Sequence, residues 1–435
     1  MLMFPEFFSL QVLEKSRYAH GTGGYHSVSR PDYYDYNSKM IMDGWKEVGL
    51  SEIDYNSGDN LGTSKMQYAY RNGARENTNS AYIRPIRGKR PNLIIRTHSW
   101  VDKVIIDPNT KRALGVQYRT NSAVNHIARA KKEVILSAGT IDSAKLLMLS
   151  GIGPVENLRE SGIKIIQNLP GVGKNLHNHL AIVPWYVNTS TTEEPMSTEK
   201  VQKDLTHWLR THDGPLTING FMDNIAFLKT SYEKQYNAPD IQVGYMKVKK
   251  IEGLSGFLMS YYDGFKLEPL LLAPRSRGEL KLDPKNPING QPLIYPNYFS
   301  HPDDLKILIE GANLTKRLTE TNVFKYAGFK VSKNFGQPLC DHLQFESDEY
   351  YGCLATNYTG GIGHMVGTCK MGAPWDKFAV VDSKLRVYGI KGLRVIDASI
   401  MPTVTRGNTY APTVMIAEKG SDLIKEDWSR WFNLG

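Results

Sequence analysis

Residues 132–154 read KEVILSAGTIDSAKLLMLSGIGP. Val134, Ile135 and Leu136 are contiguous, apolar and largely β-branched, the mark of a short buried strand. That strand runs into Gly139, which lets the backbone turn tightly. A helical pattern follows at once, with Leu146, Leu147 and Leu149 as its apolar residues, and Ser150-Gly151-Ile152-Gly153 closes it. A strand–glycine–helix corner of this kind can bring backbone N–H groups close to an anionic or polar cofactor. An ordinary strand-to-helix turn with a glycine cap accounts for the same residues.

A second corner lies near the end of the chain. Residues 392–419 read GLRVIDASIMPTVTRGNTYAPTVMIAEK. A strand over 393–396 ends at Asp397, a loop containing Asn408 follows, and a helix is expected over 413–425. Pro412 sits at that helix's start, where its missing N–H costs nothing. The free N–H groups and partial positive charge of a helix start suit the electron-rich atoms of a reduced cofactor ring. A capped surface helix is the plain alternative. Between the corners, residues 360–372 read GGIGHMVGTCKMG. His364 stands there among small residues that leave its imidazole room. An unperturbed imidazole pKa of about 6.5 suits a general base, although most single histidines are satisfied structural groups.

The chain has 435 residues, 41% hydrophobic and 22% charged, which excludes bulk disorder and a fibrous protein. With 38 Gly, 22 Pro and 24 Tyr, the mix suits a loop-rich α/β or α+β protein of two or three domains. The net charge of +9 is mild. Its short basic clusters, Arg129/Lys131/Lys132 and Lys247/Lys249/Lys250, read as solvated faces, so no nucleic-acid partner is expected. Three cysteines, Cys340, Cys353 and Cys369, lack CxxC spacing and give no metal site. A Cys340–Cys353 bridge is compatible with the sequence without being fixed by it. No apolar run reaches about 18 residues, so no membrane span is expected. The opening MLMFPEFFSLQVLEKS makes a poor signal peptide.

Elsewhere, helices are expected over 6–18, 37–48 and 302–319, the last with Asp303 and Asp304 in its first turn. Residues 54–80 read as loops around one short strand. Strands are expected from Leu93-Ile94-Ile95 through residues 101–107 and 113–119, with a turn at 108–110.

Several motifs, in order, carry a family resemblance. GTIDSAKLLMLSGIG, PGVGKNLHNH (170–179), APRSRGELKL (273–282), HMVGTCKMG, GLRVIDASIMP and GNTYAPTVMIAEK resemble segments of the glucose–methanol–choline (GMC) oxidoreductases, which are flavoproteins. HGTGGYHSV near the front resembles another. The likeness is strongest to insect glucose dehydrogenase-type members. Two departures stand out: Ala144 where Pro is usual, and Asn178 where Asp is usual.

The resemblance implies FAD as cofactor and oxidation of a CH–OH donor, an alcohol or sugar, with hydride passing to flavin N5. It implies that His364 is the catalytic base and that Asn408 hydrogen-bonds the substrate oxygen. Asp397 and Ala398 match the strand end near the pyrophosphate and ribityl chain. Thr409, Pro412 and Thr413 match the helix start beside the flavin pyrimidine edge, and Val101 a residue whose backbone meets the adenine. A quinone or similar electron acceptor is implied.

The family's G-x-G-x-x-G fingerprint has no match. Gly21/Gly23, Gly151/Gly153, Gly171/Gly173 and Gly361/Gly363 are followed at the third position by His26, Glu156, Leu176 and Val366. The chain is therefore expected to begin inside the family's sequence. The fold expected is α/β plus α+β, an incomplete FAD-binding Rossmann-like domain with a β-sheet substrate-binding domain. Residues 1–180 form the FAD-binding part, 181–350 the substrate-binding domain, and 351–435 return to the FAD domain. A truncated, non-catalytic product that does not bind FAD is the other reading. Sequons at Asn188, Asn313 and Asn357 suggest secretion of the full-length form.

Overall fold

A computed structural model describes residues 8–10, 19–121, 124–189, 197–217, 222–248, 261–334 and 336–429. The chain divides into two units, each built from three stretches of sequence. One comprises Met1–Pro91, Leu180–Ala273 and Pro302–Gly360; the other comprises Asn92–His179, Pro274–His301 and Gly361–Gly435. This differs from a linear three-part division mainly at the front, where the first 91 residues join the 180–273 stretch.

The first unit is built on an antiparallel sheet. Its strands run in the order Lys330–Lys333, Trp185–Asn188, Gly264–Leu271, Ile241–Val248, Asn224–Leu228 and Gly62–Lys65. Side chains alternate across such a sheet, and Ile241, Val243, Tyr245 and Lys247 share one buried face with Leu271, Leu267 and Phe265. The helix Pro302–Thr319 packs against these central strands. Its acidic first turn and its basic last turn, Lys316 and Arg317, both complement the helix dipole. A disulfide joins Cys340 to Cys353, tying a 3-10 turn to the helix Asp348–Tyr358.

The second unit mixes parallel pairing and helices. The strand Val134–Leu136 pairs in parallel with Leu393–Val395, although 259 residues separate Val134 from Leu393 in the chain. The helix Gly139–Leu149 follows the first of these strands. The helix Tyr410–Ser429 follows the second after a loop. Leu136, Leu147, Met148, Ile152, Val172, Leu393 and Val395 meet in a single apolar core. Beside it stands an antiparallel sheet of Ser99–Asp107, Arg112–Thr120 and Asn125–Arg129.

Several expectations are corrected. Leu93, Ile94 and Ile95 lie outside any strand and are exposed, Ile94 at 77%; their β-propensity finds no pairing partner among the described residues. Residues 54–80 hold three short strands, Gly62–Lys65, Tyr68–Arg71 and Ala74–Arg75. The final helix begins at Tyr410, so Pro412 lies inside its first turn, where an N–H is still unneeded. Of the helix expected over 6–18, Phe8–Leu10 is a strand and the remainder lies outside the described residues. Lys247 is buried rather than solvated, with Asp35 Oδ2 at 2.7 Å and Asp223 Oδ2 at 2.5 Å from its Nζ. Lys249 and Lys250 lie outside the described residues, whereas Arg129, Lys131 and Lys132 are exposed.

Candidate active site

The second unit brings its two corners side by side. Parallel pairing of Val395 with Leu136 makes the two strands end together. Asp397 and Gly139 follow those ends, and Asp397 Oδ2 accepts the Gly139 N–H at 3.0 Å. The same oxygen accepts Ser143 Oγ–H at 2.5 Å, while Oδ1 accepts the Ser399 N–H at 2.8 Å and its hydroxyl at 2.5 Å. The Asp397 carboxylate is thus spent within the protein, where it caps the 3-10 turn Ala398–Ile400 and pins it to the first corner.

From that turn the chain runs to Asn408 and the helix Tyr410–Ser429, whose start is tied by Thr413 N–H and Oγ–H to Thr409 O. Asn408 Nδ2 faces His364 Nε2 at 3.4 Å. The two residues singled out from separate glycine-rich loops therefore stand together. His364 is half-buried, and burial alone pulls its pKa down to about 4. Removal from water penalises the charged imidazolium, so burial favours the neutral ring at neutral pH. Val101 lies elsewhere in the unit, on the hairpin strand Ser99–Asp107, where the register shifts between Val101 and Lys103.

Three consecutive residues absent from the sequence-based candidates hold this site. His177 Nε2 accepts the Val404 N–H at 2.9 Å, so its proton sits on Nδ1, which donates to Asn175 O at 2.7 Å. Burial first, and then the charge of Arg277, lower the His177 pKa to about 4. Asn178 Oδ1 accepts the His364 backbone N–H at 2.9 Å. His179 Nδ1 lies 3.0 Å from His364 Nδ1, with the two rings edge to face at 83°. The segment 170–179 was noted for its motif, but nothing in its local pattern names partners some 186 residues away.

Among the described residues no group of His, Cys, Asp or Glu is arranged to hold a metal ion, and no helix is long and apolar enough to cross a membrane.

GMC oxidoreductase family models match residues 10–181 and 274–417. The chain is 37% identical over 413 residues to glucose dehydrogenase [FAD, quinone] of Drosophila melanogaster, covering 94% of this chain and 65% of that protein. It is 34% identical to an oxygen-dependent choline dehydrogenase of Brucella anthropi (87% of this chain, 68% of that one). It is 32% identical to an alcohol dehydrogenase [acceptor] of Pseudomonas putida (97% and 74%). The chain thus spans about two thirds of the length of the first two of these dehydrogenases. Among solved structures, an FAD-dependent oxidoreductase from Chaetomium thermophilum aligns at TM-score 0.83 and 22% identity, over 98% of this chain and 80% of that one. Pyridoxine 4-oxidase from Mesorbium loti aligns at 0.77 and 22%, over 96% and 75%. At such identity the likeness speaks for the fold, an α/β unit together with a sheet-rich one.

Proposed function

The chain belongs to the GMC oxidoreductase family, and from that premise we propose that it oxidises the CH–OH group of an alcohol or sugar, with His364 as base. The observation that carries this reading is the pairing of a neutral His364 with Asn408 at 3.4 Å, on two loops whose strands and helices are interlocked. The donor Nδ2 of Asn408 faces His364 Nε2, which marks that nitrogen as the acceptor able to take a hydroxyl proton. Asn408 then donates to the substrate oxygen and orients the carbinol.

The surroundings fit a flavin. Thr405 Oγ1 is buried without a hydrogen-bond partner among the described residues, and a Cβ on Gly407 would meet nothing within 4 Å. The start of the helix at Tyr410 carries the positive end of the helix dipole. An orphaned hydroxyl, an open backbone and that positive end suit a planar, acceptor-rich ring. Thr409, Pro412 and Thr413 would hold its pyrimidine edge, Asp397 and Ala398 the backbone turn near the pyrophosphate and ribityl chain, and Val101 the adenine. FAD, when bound, supplies the two-electron acceptor for the carbinol hydrogen.

The final electron acceptor we assign is a quinone or a similar compound; the name of the Drosophila relative supports this. Secretion is supported by the Cys340–Cys353 disulfide, which belongs to an oxidising compartment. Exposure of sequon residues Asn313 and Asn357 supports it too. The test is spectroscopic: the purified protein should carry a flavin absorbance band that bleaches on anaerobic addition of an alcohol or sugar donor. A folded, colourless protein would contradict the proposal.

A further inference from the structure

We propose that His179 is a positioning residue for His364, its Nδ1 accepting the Nδ1–H of His364 and so keeping His364 Nε2 free of a proton. This inference rests on the reading of His364 as the base. Two imidazole nitrogens 3.0 Å apart share one proton, so one ring donates and the other accepts. The opposite side of His364 decides which. Asn408 Nδ2 is a donor, and it faces His364 Nε2, which is therefore the accepting nitrogen. Neutral His364 then carries its proton on Nδ1, and His179 must present a bare Nδ1.

The geometry makes this a lock. His179 is fully buried, and its ring meets that of His364 edge to face with centroids 5.1 Å apart. The preceding residue, Asn178, holds the His364 backbone N–H. Ring and backbone of His364 are thus fixed by adjacent residues of one segment. That segment is itself anchored by His177 to the Val404 N–H, four residues before Asn408. A carboxylate in the place of His179 would favour the imidazolium and raise the pKa of His364. A neutral imidazole orients the ring without adding charge, and burial is the single cause acting on His364.

The test is 15N NMR of the histidine side chains in the full chain, combined with kinetics. In the wild type, His364 should show a protonated Nδ1 and a bare Nε2, and His179 a bare Nδ1. The reverse proton placement would overturn the proposal, and this measurement needs no variant to fold. In His179→Ala the His364 tautomers should become mixed, and kcat should fall about 10- to 100-fold with KM changed less. In His179→Asn, whose amide oxygen accepts the same proton, the tautomer and most of kcat should return. An unchanged His364 spectrum and kcat in His179→Ala would refute positioning. Turnover persisting in His364→Ala would remove the base reading alone, since the wild-type spectrum still reports the lock.

Discussion

The Asp397 carboxylate accepts the backbone N–H of Gly139 across 258 residues of sequence, at 3.0 Å. This bond, rather than any contact local to either segment, holds the start of one helix against the end of the partner strand. Asp397 also satisfies Ser143 and Ser399. Asp397→Ala would leave buried donors unpaired and should cost about 2–4 kcal/mol. Urea unfolding of the variant should show the loss as a lower midpoint, with Asp397→Asn intermediate because one acceptor survives. A midpoint equal to wild type would show that the carboxylate does not pin the corner.

Acid should weaken the fold through two histidines. The pKa values of His177 and His364 are both lowered from 6.5 to about 4. The unfolded chain binds protons at these rings as pH falls below about 6.5, and the folded chain does so only near pH 4, so stability falls with pH across that window. His177 alone should account for about 3 kcal/mol of the loss. Unfolding midpoints at pH 7, 5.5 and 4 test this. His177→Asn should flatten the slope, and an equally steep slope in the variant would show that another group titrates.

Lys247 is the third pressure point. It lies between Asp35 and Asp223, all three buried. Lys247→Met would fit the space but leave two carboxylates without their cation, at an expected cost of about 3–5 kcal/mol. A thermal melt should register this as a marked drop. A variant as stable as wild type would mean that the carboxylates protonate or rehydrate at little cost.

The second unit's corners were legible because strand, glycine and helix signals are local. The run Val134–Leu136 and the apolar residues after Gly139 needed no knowledge of partners. His364 and Asn408 were legible from their small-residue surroundings and the family motifs around them. The residues that hold them were not, because His177, Asn178 and His179 act through contacts made only when distant segments meet. Lys247 shows a signal that went unread: Ile241, Val243 and Tyr245 share one face of a strand buried along most of its length, and the same period of two places Lys247 with them. Charge counted along the sequence pointed to solvent, whereas two distant carboxylates had made burial affordable. Leu93, Ile94 and Ile95 show the converse, strand propensity without a strand to pair with.

The central claim, that His364 is the base of a flavin-dependent oxidation, is tested most directly by His364→Ala in the full chain. Flavin absorbance per protein should match wild type, while the rate of flavin reduction by donor falls by about 10²- to 10⁴-fold. Reduction at the wild-type rate, with flavin still bound, would contradict it.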